Sequence, residues 1–296
     1  MRYSLTTLLL AIGSSAATAA SLAPNDPSIS ASLGLWLTNA ANNYAGGTWS
    51  DSSGNGNDAT TLGTVNVNAP VTYNSPSLDL ATASADHNTS SVAFAGNTDD
   101  MLVANDIFGG AGVNELTVFV AYHLTTAAGN PNLTRPAGIG SVAGTQSNPG
   151  DHFNLANDPS VRKDNGQIGS GSYSGSVTAG TPLIRIARMD AGGIDEWFNS
   201  NLTMNSVLSN AGAQFTTSSD DFFMGDLRGG STAVPGFGTA TSLSEFNINQ
   251  VIIYNSALTD QQISDINEFM VSENVPEPGS TVLLGLASLG ILRRRR

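Results

Sequence analysis

The run Glu115-Leu116-Thr117-Val118-Phe119-Val120-Ala121-Tyr122 constrains the fold most. Successive side chains of a strand point to opposite faces. Apart from Thr117 and the leading Glu115, this run is apolar at odd and even positions alike, the pattern of a strand covered on two sides. Other strand signals recur along the chain. Residues 33–37 (LGLWL) are short and apolar. Leu183 to Met189 alternates apolar with polar and predicts a half-buried strand. Residues 194–198, a turn at Asn199-Ser200-Asn201 and the segment from Leu202 predict a hairpin, and residues 221–227 (DFFMGDL) a core strand.

Such recurrence decides between a folded and a disordered chain. Gly, Ser, Thr, Asn and Ala are abundant and only 12% of residues are charged, a composition that would suit disorder if the apolar segments were clustered. They are spread throughout instead. No sequence repeat is present, so one domain is expected. There is no cysteine, so stability comes from core packing and bound ions, not from disulfides.

Both ends read as address labels. Met1-Arg2-Tyr3, the apolar residues 5–12 and Ala17-Thr18-Ala19 have the order of a signal peptide over residues 1–20. At the other end, Val275, Pro276, Glu277, Pro278 and Gly279 form a stiff, turn-rich stretch, because proline fixes φ and lacks an N–H. An apolar run over residues 281–292 follows, expected to form an apolar sorting helix, and then Arg293, Arg294, Arg295 and Arg296. This order resembles the PEP-CTERM sorting tail of Gram-negative envelope proteins. The resemblance implies recognition and removal by an exosortase-type membrane protease, with the body outside and the arginines inside. Even residues 279–292 give only about 21 Å of helix against a hydrocarbon core of about 30 Å. Transient membrane contact and cleavage near Pro276–Pro278 are therefore expected, not a permanent anchor.

Without Arg2, Glu277 and the four terminal arginines, the body keeps 23 acidic and 6 basic residues, a formal charge of −17. That argues against nucleic acid or anionic lipid as partners, since both require clustered Lys and Arg.

A second resemblance rests on Trp36-Leu37, then Trp49, Asp51 and Ser53-Gly54-Asn55-Gly56-Asn57-Asp58. These residues are similar to the opening of LamG-like domains of the concanavalin A type. Ser91 to Gly96, Glu115 to Tyr122 and Phe246 to Thr259 follow in that family's order, with Gln250 where Glu is common. The resemblance spans residues 31–273 and is patchy between 129 and 181. It implies an all-β, two-sheet jelly-roll sandwich with one short C-terminal helix. That helix is expected over residues 259–270, with Thr259 and Gln262 as a capping box and Ile263, Ile266, Phe269 and Met270 packed on the sandwich edge.

Chemistry is sparse. His87, His123 and His152 form no metal-binding spacing, and no G-x-S-x-G elbow is present. A laminarinase-type hydrolase on this architecture needs two carboxylates facing one cleft. The nearest pair, Asp195 and Glu196, is adjacent, so the two point to opposite faces of a strand. No catalytic residue is assigned. The oxygens of Asp51, Asn55, Asn57 and Asp58 suit either a tight turn or a Ca²⁺ ion. Asp99, Asp100, Asp220, Asp221 and Asp226 are further acidic turn residues or calcium ligands. Trp49 and Trp197 are core residues or sugar-stacking platforms. The expected role is an exported, non-enzymatic cell-surface or matrix protein that binds extracellular polysaccharide or a surface protein. A glycoside hydrolase and a purely structural matrix protein are the alternatives.

Overall fold

The structure is a computed structural model and describes residues 21–62, 64–66, 70–72, 74–79, 90–94, 100–110, 113–125, 137–139, 153–155, 160–163, 166–170, 183–191, 193–200, 203–211, 221–225 and 246–274. Residues 1–20, where a signal peptide is expected, and the tail after Asn274 lie outside these residues. In chain order, a 3-10 turn at Ser30–Ser32 leads to β1 (Leu33–Leu37), α1 (Ala40–Asn43), β2 (Tyr44–Ala45), β3 (Thr48–Trp49) and β4 (Ala59–Thr61). Then come β5 (Thr64–Asn66), β6 (Pro70–Thr72), β7 (Ser77–Asp79), β8 (Ser91–Phe94), β9 (Met101–Ala104) and β10 (Leu116–Leu124). β11 (Ala137–Ile139), β12 (Phe153–Leu155), β13 (Ser160–Lys163) and β14 (Gly166–Ser170) form a meander. β15 (Leu183–Asp190), β16 (Gly193–Ser200), β17 (Thr203–Ala211), β18 (Phe222–Gly225), β19 (Phe246–Tyr254) and α2 (Asp260–Asn274) complete the chain.

Two antiparallel sheets carry the fold. One runs β17-β16-β15-β10-β19-β8-β7, with β1 also on β19; the other runs β14-β13-β12-β11-β18-β9-β4-β3-β2. β10 is central and all nine of its residues are buried, as its two-sided apolar pattern requires. One of its faces supplies Val118, Val120, Tyr122 and Leu124 to the core between the sheets. There they meet Trp49, Leu102, Ile139, Phe222 and Met224 of the second sheet. The other face supplies Phe119 and Ala121 to a second core.

That second core corrects the expected place of the helix. α2 lies on the outer face of the first sheet, not on its edge. Ile263, Ile266 and Met270 cover Phe119, Ile184, Ile186, Ile252 and Tyr254, because a doubly apolar strand layer must be shielded on its outside too. Each buried aliphatic side chain contributes roughly 2 kcal/mol. The capping box is present: the Gln262 N–H donates to Thr259 Oγ1 (3.3 Å) and the Thr259 N–H to Gln262 Oε1 (2.9 Å). Thr117, a buried polar residue of β10, holds the turn before the helix. Its hydroxyl donates to the Ser256 carbonyl (2.7 Å) and accepts from the Leu258 N–H (3.0 Å).

β15 is also more deeply buried than its alternating pattern predicts. Arg185 is fully enclosed and shares the inter-sheet face with Leu183 and Ala187 by the two-residue period. Its Nε and Nη2 contact Glu196 Oε1 from the neighbouring strand.

Candidate site on the outer face of the first sheet

The outer face of the first sheet has two halves. Under α2 it is apolar. Toward β7 and β8 the outward residues of β10 and β19 are His123, Asn247 and Asn249, each about 2% exposed. The change follows from an irregularity in β19. Ala121 pairs with Gln250 but Tyr122 pairs with Ile248, so Asn249 is an extra residue in the ladder. A bulge re-aims side chains and shifts the alternation by one. As a result Phe246 and Ile248 face the inter-sheet core before the bulge, and Val251 and Ile253 face it after. Asn249 Oδ1 lies 3.2 Å from His123 Nδ1.

An open hollow of about 370 Å³ lies beside these groups, lined by Ser77, Leu78, Asp79, Ala93, Phe94, Thr125 and Asn247. The Asn247 amide donates to Asp79 Oδ2 at 2.7 Å, which aligns a carboxylate and a carboxamide in one wall. Burial pushes the His123 imidazole below its ordinary value of 6.5, against the Asn249 hydrogen bond and the negative charge of Asp79. The ring is therefore neutral near pH 7, with one nitrogen able to donate and the other to accept. The alternation Phe246-Asn247-Ile248-Asn249 was a readable signal of a polar sheet face. The contribution of Asp79 was not readable, because it is 168 residues from Asn247 in the chain.

The Asp51 loop is a pinned turn. Asp51 Oδ1 accepts from the N–H groups of Trp36 (3.0 Å) and Ser53 (2.9 Å), and Oδ2 from the Ser53 hydroxyl (2.6 Å) and the Asn57 N–H (3.1 Å). Asp58 Oδ1 accepts from the Asp51 N–H (2.8 Å). The amide nitrogen of Asn55 donates to the Leu33 carbonyl (2.7 Å), and that of Asn57 to the carbonyls of Gly34 (2.8 Å) and Ile107 (3.1 Å). Only Gly54 and Gly56 adopt positive φ here, +91° and +77°. A cation at this loop would have to displace the donors already on Asp51. Among the described residues, no group of three or more His, Asp or Glu side chains is arranged to hold a metal ion.

The remaining candidates are placed as follows. Asp221 Oδ1 accepts from the N–H of Asp106 (3.0 Å), a residue at φ +51°. Asp100 is buried at the start of β9 and, with burial as the larger cause, pushes the Tyr44 hydroxyl up to about 12. Asp99, Asp220 and Asp226 lie outside the described residues. Trp49 is enclosed in the inter-sheet core. Trp197 is 9% exposed, with the Arg188 guanidinium 5.0 Å from its ring. Arg188 also reaches Asp195 (2.5 Å), Asp260 (2.6 Å) and the Leu258 carbonyl (3.0 Å). Asp195 thus faces outward toward Arg188 while Glu196 faces inward toward Arg185, and the two carboxylates share no cleft.

Similarity to known proteins is limited to the tail and the fold. The PEP-CTERM protein-sorting motif matches residues 274–296; it marks exosortase-dependent export and surface sorting in Gram-negative bacteria. A search of curated protein sequences finds no match. Among solved structures, an arabinofuranosidase complexed with arabinofuranosyl-α-1,2-xylobiose aligns with TM-score 0.55 and 13% identity, over 77% of this chain and 51% of that one. A GH54 α-L-arabinofuranosidase soaked with a cyclic sulfate inhibitor gives 0.54 and 14%, with the same coverage. The chain spans about half the length of these enzymes, and at such identity the likeness shows a β-sandwich fold alone. Among the described residues, no helix is long and apolar enough to cross a membrane.

Proposed function

We propose that this is an exported, non-enzymatic surface protein of LamG-like type, with residues 31–273 as its domain, that binds a glycan through the hollow beside β7, β8 and β19. The carrying observation is the Asp79–Asn247 pair in the wall of an open hollow, beside the buried polar side chains of His123 and Asn249. Planar carboxylate and carboxamide groups offer adjacent acceptors and donors, which suit neighbouring sugar hydroxyls. Extracellular polysaccharide is the natural partner for a sorted surface protein; a surface protein partner is the alternative. Binding is favoured over hydrolysis because the described lining holds a single carboxylate, Asp79, while glycoside hydrolysis uses two.

A glycan array with the wild-type protein and with Asp79→Ala and Asn247→Ala tests this reading. Loss of binding in both variants supports it; no ligand for the wild type sinks it. Arms with EGTA and with added Ca²⁺ test an ion at the Asp51 loop, whose proposed role fails if neither binding nor the melting temperature responds. Sugar release from β-glucans by the wild type that is abolished by Asp195→Ala in a variant that still folds would establish the hydrolase alternative.

A further inference from the structure

The sorting motif and the folded body overlap at one residue. The motif begins at Asn274, which is also the last residue of α2 and is 2% exposed. Its side-chain amide donates to Gln250 Oε1 at 2.7 Å and to the Met270 carbonyl at 2.8 Å. The second bond folds the side chain back onto the last turn of its own helix. The first ties the helix end to β19, inside the first sheet. In the last turn Val271 packs partly against the second core, Ser272 and Glu273 are exposed, and the buried Asn274 pins the helix end to the sheet. Gln250 is 1% exposed, and its Nε2 has no hydrogen-bond partner. Its oxygen serves Asn274 at the cost of a buried donor.

Pro276 follows Asn274 by two residues and Pro278 by four. Extended peptides are recognised by strand-like pairing of their main chain. A helical, sheet-bound residue adjoining the processed stretch obstructs that pairing. We propose that the Asn274–Gln250 contact is a latch on processing: the sorting protease engages the tail only after the last turn of α2 lifts off the sheet. Helix ends open locally without global unfolding, and cleavage then follows the open population. Release of the body from the membrane is timed by the frequency of this opening. The proposal rests on the sorting motif and is independent of glycan binding.

The test is a pulse-chase of the full chain in a host that carries the exosortase-type protease, following loss of Arg293–Arg296 by mass. Gln250→Met keeps the size and removes the acceptor, whereas Gln250→Glu keeps an acceptor oxygen for Asn274. Loss of one hydrogen bond, about 1 kcal/mol, raises the open population about fivefold. Gln250→Met is expected to be processed about that much faster, and Gln250→Glu at the wild-type rate. A Gly/Ser spacer of about eight residues between Asn274 and Val275 speeds processing of the wild type and erases the difference between the variants. Unchanged rates for Gln250→Met and for the spacer overturn the latch. If Gln250→Met does not fold, the spacer decides alone, since it leaves the body intact.

Discussion

Replacing one member of the Arg185–Glu196 pair should expose how the interior is balanced. Both side chains are fully buried and lie on the inter-sheet face, on neighbouring strands. In the register Arg185 faces Phe198 and Glu196 faces Ala187, so the contact is diagonal and depends on the length of both side chains. Glu196→Leu leaves a guanidinium in a low-dielectric layer without its counter-charge, and Arg185→Met leaves the carboxylate so. Removing one partner of a buried pair costs about 3–5 kcal/mol. At roughly 2–4 °C per kcal/mol for a domain of this size, the midpoint falls by about 10 °C. The double variant strands neither charge and preserves volume. It should lose no more than about 2 kcal/mol, giving a coupling energy of several kcal/mol. Urea unfolding of the wild type, both single variants and the double variant measures the cycle. Single variants within about 1 kcal/mol of wild type, or losses that simply add, would refute this account of the interior.

Two further outcomes are expected. His123 has a folded pKa depressed below 6.5, mainly by burial, so the unfolded chain takes up its proton first as pH falls. Its contribution to stability is complete above about pH 6.5 and is lost as pH falls through the folded pKa. His123→Gln should flatten the pH dependence of the urea midpoint between about pH 7.5 and pH 5; an unchanged slope would assign the titration elsewhere. Gly225 has φ +109°, and a Cβ there would lie 2.2 Å from the Asp100 carbonyl oxygen and 3.0 Å from the Phe94 ring. Gly225→Ala should cost at least about 3 kcal/mol through strain and clash, read as a lowered melting temperature. An unshifted melt would mean that β18 and β9 do not pack this closely.

What the sequence determined by itself is local. The strand at Leu33–Leu37, the two-sided run of β10, the hairpin of β16 and β17 (with Asn199 and Ser200, expected in its turn, paired in the strands instead) and the Thr259–Gln262 capping box are written in neighbouring residues. Their periodicity and turn chemistry survive any arrangement of the rest. The sorting tail is legible for the same reason: its order of prolines, apolar run and arginines is linear. Tertiary structure decided which face each residue takes. Val251-Ile252-Ile253-Tyr254 is apolar throughout, so no alternation could reveal the bulge at Asn249, and one unread residue reverses every face after it. Arg185 looked like the polar side of a half-buried strand until Glu196, on the next strand, gave it a partner inside the core. The helix went to the sheet face because Phe119, Ile186 and Ile252 all turn outward once register is set. The hollow is a product of the same process. Asp79 and Asn247 meet only because β7, β8 and β19 pair side by side, and strand pairing between distant segments is set by whole-sheet packing, not by any local pattern.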